Sequence, residues 1–331
     1  MTPHPAPNGA GPWPPGTVAI ILLNWNGQAD TRACLASLAQ LTYPDYQVIV
    51  VDNGSSDDSV PALRRDYPEI TVLPTGANLG FAAGNNVGLR YALEHGADYL
   101  LMLNNDTVVD PHLLDAFVAA STAHPEAGSL GAKIYYFSDP QRLWYAGARW
   151  KTDEADFGHI GGGELDDGQT WERECETAYA CGCALFTRAA LLKQVGLLHP
   201  PYFAIFEEAD WCYRARRLGY PALFVPTAKV WHKVSASFEG GWQQPHYQYY
   251  YWRNRLLWIE RNLPRREAWQ LFRQVLWRKM NDEWRIYRDQ AVPAPARLQA
   301  KASLTGIRDY VLRRFGRGPD WLFRKPPRPT A

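Results

Sequence analysis

No stretch of this chain comes near the roughly 20 consecutive apolar residues that a membrane-spanning helix requires. Nor does one sign of charge dominate: 35 Lys and Arg against 34 Asp and Glu leave a formal net charge of +1. Bulk charge therefore gives no case for a nucleic-acid partner. Cysteine is scarce, at five residues (Cys34, Cys175, Cys181, Cys183 and Cys212). Their odd number and irregular spacing argue against a disulfide framework. Cys181-Gly182-Cys183 also lacks the second CxxC or His pair of a zinc site. Reduced thiols in a cytosolic protein are the expectation. No GxGxxG follows the first predicted strand and no GxxxxGKS/T occurs anywhere, which counts against a dinucleotide-binding oxidoreductase and a P-loop nucleotidase.

What remains is a chain of 331 residues, 46% of them hydrophobic, enough for one large domain or two smaller ones. Trp and Tyr are abundant, at 14 and 18, and suit sugars, lipid interfaces and protein partners as well as ordinary cores. Residues 1–16 are rich in Pro, Gly and Ala, without a basic start or an apolar centre. They read as a disordered leader, not a signal peptide.

From residue 17 strand and helix alternate. Val18 to Leu23 is a continuous apolar run, the mark of a strand buried on both faces. Asp30 or Thr31 can cap a helix whose apolar positions are Cys34, Leu35, Leu38 and Leu41. Gln47–Val51, Ile70–Leu73 and Tyr99–Leu103 are the next strands. Helices are expected through Leu63 and over Ala82–His95, the latter stopped by Gly96. Four alternations in about 90 residues predict an α/β fold, a mostly parallel sheet covered by helices. Ligands of such sheets sit outside the carboxyl ends of the strands. There the sequence turns polar abruptly: Asn24-Trp25-Asn26, Asp52 to Asp57, and Asn104-Asn105-Asp106 at the end of DYLLMLNNDTVV. These clusters are expected to converge on one sheet edge. Beyond residue 128 the predicted elements are strands at 128–136, 178–186 and 222–225 and helices at 188–195 and 207–218, with a polar, Gly-rich excursion over 151–174. From Trp242 onward the chain reads as helical.

The order of NWNG (24–27), VDNGSSDDS (51–59), NLGFAAGNN (78–86), LNNDT (103–107), FEEADWCYRARRLGY (206–220) and VWH (230–232) resembles glycosyltransferase family 2, in particular its rhamnosyl- and galactofuranosyl-transferase branch. The resemblance runs from about residue 17 to 260. It implies a GT-A fold, a nucleotide-diphosphate sugar donor, a divalent cation (Mn²⁺ or Mg²⁺) and inversion at the anomeric carbon.

By the same resemblance, Asp52 contacts the base or ribose of the donor, although an Asp before Asn-Gly also suits an ordinary turn. Asn24 and Asn26 lie on the same side and line the donor pocket. Asn78, Gly80, Asn85 and Asn86 straddle a helix start, where free N–H groups favour anions, so they either border the diphosphate or cap and pack the helix. Asn104 replaces the first acid of the family's DxD motif, leaving Asp106 as the one carboxylate. Mg²⁺ commonly accepts one or two carboxylates plus substrate phosphates and water. His232 matches a further metal-ligand position, and an imidazole suits Mn²⁺ better than Mg²⁺. A hydrogen-bonded core histidine is the alternative. Glu207, Asp210 and Arg214 share one helix face and suit an intrahelical ion pair. Glu208, turned about 100° away, fills the family's general-base position, where the helix dipole favours its ionised form.

Three segments follow for the domain organisation: the leader, a catalytic domain over 17–240 (donor-binding over 17–127, acceptor and catalytic over 128–240), and a helical extension over 241–331 with a basic tail. In the extension Trp252, Leu256, Ile259 and Leu263 recur at helical spacing, and Phe272, Val275 and Leu276 continue after Pro264. Arg253, Arg255, Arg261, Arg265, Arg266, Arg273, Arg278 and Lys279 are interspersed. Such a segment packs its apolar face on the domain and leaves a solvated basic face, or lies on an anionic membrane surface. A QxxRW motif is absent, which favours addition of a single sugar. The acceptor expected is a glycan or lipid-linked hydroxyl, and the location is the cytoplasm, at the inner face of the membrane. Two other readings stand beside this one. A non-catalytic sugar- or protein-binding module draws support from Asn104. A sugar nucleotidyltransferase would need a basic glycine-rich loop after the first strand, and NWNGQAD has no basic residue.

Overall fold

The apolar runs of the first half become parallel strands. The computed structural model describes residues 12–234 and 244–323. β1 (Val18–Asn24), α1 (Gln28–Leu38), β2 (Tyr46–Asp52), α2 (Ser59–Asp66), β3 (Thr71–Pro74), α3 (Gly80–Glu94) and β4 (Tyr99–Asn104) alternate as the sequence predicts. β1 pairs in parallel with both β2 and β4, and β2 with β3. The chain thus winds outward from β1 and then crosses back to its other side. Asp30 and Thr31 do not cap α1; Gly27 precedes the helix and both lie in its first turn.

β5 (Thr107–Val109), α4 (Leu113–Ala123), β6 (Ser129–Tyr136), β7 (Asp139–Tyr145), β8 (Ala148–Lys151), β9 (Asp156–His159), β10 (Cys175–Thr177), β11 (Ala184–Arg188), α5 (Ala189–Val195), α6 (Glu207–Arg217) and β12 (Ala222–His232) follow. All but β8 and β9 join one sheet, ordered β10-β12-β6-β11-β4-β1-β2-β3, with β5 beside β12 and β7 beside β6. The sheet therefore runs unbroken across residues 127 and 128. The expected strand over 178–186 is corrected: residues 178–183 form a buried turn and β11 starts at Ala184. Apolar content marks burial there, and burial alone does not separate strand from turn. The excursion over 151–174 is partly built, with β8 and β9 forming a hairpin. It also returns Asp166 to within 3.0 Å of the wholly buried Lys133 Nζ on β6. Residues 222–232 form one strand whose register on β6 slips between Val225 and Lys229, at Pro226, which has no N–H to offer.

Residues 12–16, read as part of the leader, lie against the domain. Trp13 N–H donates to His95 O at 2.7 Å, and its ring packs on Tyr91 and His95. The rest of the leader, Trp242 and the basic tail over 324–331 fall outside the described residues.

The extension contributes α7 (Pro245–Asn262), α8 (Arg265–Leu271), a π-helical turn (Phe272–Leu276), α9 (Trp277–Arg288) and α10 (Ala294–Val311). Trp252, Leu256 and Ile259 of α7 enter the same core as the sheet. Arg253 and Arg255, expected on a solvated or membrane-facing basic surface, are instead 0% and 1% exposed. Their guanidinium donors meet backbone carbonyls: Arg253 reaches Tyr202 O at 2.8 Å and Gly316 O at 2.6 Å, and Arg255 reaches Ala155 O at 2.7 Å. A fork of five N–H donors can be buried when carbonyls satisfy it. Among the described residues no helix is long and apolar enough to cross a membrane.

Candidate active site

Register brings the polar clusters level. Asn24 stands opposite Asp52, and Leu23 opposite Asn104, at the point where the winding reverses. Within this row the amides have different duties. Asn24 is 0% exposed; its Nδ2 donates to Asp52 Oδ1 at 2.8 Å and its Oδ1 accepts from Thr31 Oγ1 at 2.9 Å. It therefore orients Asp52 and does not line the pocket, a correction to its expected role. Asn105 turns the same way, donating to Thr31 Oγ1 at 2.9 Å. Asp52 is buried and accepts from Ser55 N at 3.1 Å. Asn26 is exposed with φ +52, and its Oδ1 accepts from Ser56 N at 2.8 Å.

The head of α3 is built from its own polar residues. Asn78 Oδ1 accepts from Gly80 N at 2.8 Å, and Asn53 Oδ1 from Leu79 N at 2.9 Å. Gly80 is thus not open to a donor. It has φ +80, and a Cβ there would lie 2.5 Å from Phe203 O, so glycine serves close approach. Asn86 is likewise removed from the donor set. Its amide donates to Leu198 O at 2.8 Å and accepts from Leu198 N at 3.1 Å, locking α3 to the segment after α5. Asn85 bonds back to Phe81 O at 3.0 Å, so for both residues the packing reading holds.

Asn105 and Asp106 form the turn between β4 and β5. β5 then pairs antiparallel with the end of β12, setting Thr107 opposite His232. His232 Nε2 comes to rest 3.0 Å from Asp106 Oδ1 and 3.4 Å from Asn104 Nδ2. Both Asp106 and His232 are buried, and His232 Nδ1 has no hydrogen-bond partner among the described residues. The pair fits a divalent cation. Two neighbouring ligands of an octahedral ion with bonds of about 2.1 Å stand about 3 Å apart, close to the observed separation. Among the described residues no third His, Cys, Asp or Glu joins them, so the remaining ligands would come from the donor diphosphate and water.

Glu208 sits in the first turn of α6, partly buried, with its carboxyl carbon 3.6 Å from the Cβ position of Gly182. The next residue, Cys183, accepts through its carbonyl from Asn104 N at 2.9 Å. The acid is thus tied to the end of β4. Burial raises the Glu208 carboxyl above its ordinary range, opposed by backbone N–H groups of Glu208, Ala209 and Gly182. Burial, with Glu208 beside it, pushes the fully enclosed Glu207 well above that range. Both carboxyls are thus raised, and the larger supply of N–H donors around Glu208 favours its ionised form over that of Glu207. Asp210 pairs with Arg214 at 2.9 Å as expected, but Glu207 takes no part. Burial pushes Asp210 up, yet Arg214, Asn262 and Arg261 together hold it below its ordinary value.

The approach to α6 is unusual. Phe203, Ile205 and Phe206 have φ of +67°, +73° and +77°. Ala204 N bonds to Tyr202 O at 2.8 Å, which makes Phe203 the centre of the rare positive-φ γ-turn. Each such residue costs about 1–3 kcal/mol and persists only when its surroundings fix it. α7 does so: Asn254 Nδ2 faces Tyr202 O, Ala204 O and Ile205 O at 2.8, 2.6 and 2.9 Å.

An aromatic wall runs on from His232. Trp144 packs edge-on against His232 and His159, with ring centroids 5.0 and 4.8 Å apart. His159 Nδ1 donates to Trp144 O at 3.1 Å, and its Nε2 accepts from Tyr179 OH at 3.0 Å. Burial pushes this imidazole down, keeping it neutral. Tyr179 feels the charge of Glu208. Nothing in the sequence marks these wall residues, because they come from strands and turns with no local pattern.

Known proteins share this architecture. Residues 1–349 of TarS from S. aureus superpose with a TM-score of 0.56 at 17% identity, over 90% of this chain and 82% of that one. The mannosyltransferase PcManGT from Pyrobaculum calidifontis, solved with GDP-Man and Mn²⁺, gives a TM-score of 0.53 at 16% identity, over 89% of this chain and 73% of that one. The fold is therefore GT-A. In sequence the chain is 29% identical over 241 residues to an N-acetylglucosaminyl-diphospho-decaprenol L-rhamnosyltransferase of Mycobacterium tuberculosis, covering 66% of this chain and 76% of that protein. Glycosyl transferase family 2 matches residues 19–194, more than half of the chain, and this protein belongs to that family.

Proposed function

We propose that this glycosyltransferase moves a single sugar, rhamnose, with inversion from a nucleotide-diphosphate donor to a hydroxyl of a lipid-linked acceptor. The observation that carries the reading is the pairing of Asp106 with His232 at 3.0 Å, with Asn104 beside them, at the end of β4 to which Glu208 is tied through Gly182 and Cys183. The mycobacterial relative supports the sugar and the lipid carrier.

The acceptor oxygen attacks the anomeric carbon from the face opposite the diphosphate. As that bond forms, its proton passes to Glu208, whose pKa is far below that of an alcohol, so transfer accompanies attack. The bond from the anomeric carbon to the diphosphate oxygen breaks, and its electron pair leaves with the nucleoside diphosphate. Asp106 and His232 would hold Mn²⁺ or Mg²⁺, which supplies charge neutralisation to the diphosphate. Asp52, oriented by Asn24, meets the nucleoside, with Asn26 and Asn78 at the crevice mouth and Asn104 beside the diphosphate. A cytoplasmic setting suits the five free thiols.

The test is turnover. The protein is incubated with a panel of nucleotide sugars and Mn²⁺ or Mg²⁺, with and without a polyprenyl-diphosphate sugar acceptor, and nucleoside diphosphate is measured. Glu208→Gln should lose roughly 10²–10⁴-fold in transfer while keeping donor binding. Wild type and Glu208→Gln equally inert with every donor would leave the non-catalytic module, which Asn104 favours, as the better reading.

A further inference from the structure

The arginines of α7 are buried, yet the helices after it carry a different surface. From Arg265 to Arg288 the chain runs helically through α8, the π turn and α9. Trp269, Trp277 and Trp284 are 59%, 54% and 49% exposed, and no residue of α9 is fully buried. Such exposure of three tryptophans needs a reason.

Their phase gives one. Trp277 and Trp284 are seven residues apart, within about 20° on a helix. Trp269 and Trp277 are eight apart, which regular α-helix would rotate by about 80°. The π turn between them absorbs one extra residue, so eight residues close about two turns and the rings return to line. The stripe extends over about 22 Å. Two cations are parked on it. Arg273 lies 4.8 Å over the Trp269 ring, and Arg288 lies 5.7 Å over the Trp284 ring. Seven Arg and Lys against three acids occupy residues 265–288.

We propose that this stripe is a docking surface for an anionic lipid bilayer, which it meets edge-on with Trp269, Trp277 and Trp284 at headgroup depth. Indole rings prefer that interface, where an apolar body and a polar N–H are both accommodated. Arginines at the same depth pair with lipid phosphates. Tryptophan and arginine also anchor protein interfaces, so the choice rests on charge: seven basic residues against three acids select an anionic surface. Nothing in this surface depends on which sugar is transferred.

The full chain is centrifuged with vesicles of phosphatidylcholine containing about 30% phosphatidylglycerol, and with phosphatidylcholine alone. Binding to the anionic vesicles should be at least ten-fold tighter and should fall about ten-fold in about 0.5 M salt. Trp277→Ser/Trp284→Ser should weaken it by a further ten-fold or more while leaving the thermal midpoint unchanged. Light scattering reports the oligomeric state in parallel. No binding to anionic vesicles, or binding that the double variant and salt leave intact, overturns the proposal. So does a solution dimer that the same variant dissociates, because the stripe would then be a contact between copies. The salt and lipid comparisons use wild type, so a double variant that failed to fold would not remove the test.

Discussion

Replacing Asn254 with Leu tests whether α7 positions Glu208, the proposed general base. The side chain is 0% exposed and its two amide hydrogens are shared among the carbonyls of Tyr202, Ala204 and Ile205. Tyr202 O keeps Arg253 as a donor at 2.8 Å. The other two lose Asn254, Arg253 Nε loses the Asn254 Oδ1 that accepts from it at 3.0 Å, and each buried polar group left short costs about 1–3 kcal/mol. Relaxation of the positive-φ residues returns part of that, since each holds about 1–3 kcal/mol of strain. A net loss of about 3 kcal/mol is expected. For 331 residues the unfolding entropy is roughly 0.7 kcal/mol per degree, so the midpoint should fall about 4 °C. The relaxed loop also lets the head of α6 shift, and a displacement of about 1 Å at a reacting group costs on the order of 10²-fold. Donor KM should change little, because Asp52, Asp106 and His232 stand on other elements. Differential scanning fluorimetry and transfer kinetics on one preparation decide it. A variant with an unchanged midpoint and kcat within two-fold of wild type refutes the clamp, and a lower midpoint with full kcat refutes its link to Glu208.

Other substitutions separate the remaining roles. Glu207→Gln should stabilise the protein at pH 8 and not at pH 4. Where burial raises a carboxyl, the folded state binds more protons than the unfolded one, so stability falls as pH climbs past the ordinary value; each tenfold difference in proton affinity is worth about 1.4 kcal/mol. Equal midpoint changes at both pH values would contradict this. The raised Glu208 should place the acid limb of kcat above the ordinary carboxylate range; a limb near pH 4 would mean that a different group accepts the proton. Asp106→Asn, or EDTA on wild type, should abolish the thermal shift given by donor plus Mn²⁺, and a full shift in either case would remove Asp106 from the cation site. Asn86→Ala should cost about 1–3 kcal/mol by stranding the Leu198 backbone with donor affinity within two-fold. An intact midpoint with ten-fold weaker donor binding would return Asn86 to the pocket.

The first half of the fold is legible in the sequence because its signals are local. A parallel strand buried on both faces is a run such as Val18–Leu22, and its end is marked where apolar residues give way to amides and acids. Simple rotation along a helix also separates Glu208 from the Asp210–Arg214 pair. The second half is less legible. Antiparallel strands and a buried turn over 178–183 carry the same apolar content, and the strands of the β8–β9 hairpin are too short to show a periodicity.

By itself, then, the sequence determined the parallel strands of the first half, where their carboxyl ends lie and which residue types gather there. Which of those side chains remain available was decided only by tertiary structure. Asn86 answers to Leu198, 112 positions away, and Asn254 to Tyr202, 52 positions away. Asn24 is closed by Asp52 on the neighbouring strand, and Arg253 and Arg255, charged and surface-like in sequence, are satisfied inside by carbonyls. Hydrophobic periodicity depends on residues within a few positions of one another, whereas a buried polar group is acceptable only if some distant part of the chain supplies its partner, and that partner exists only once the chain has folded.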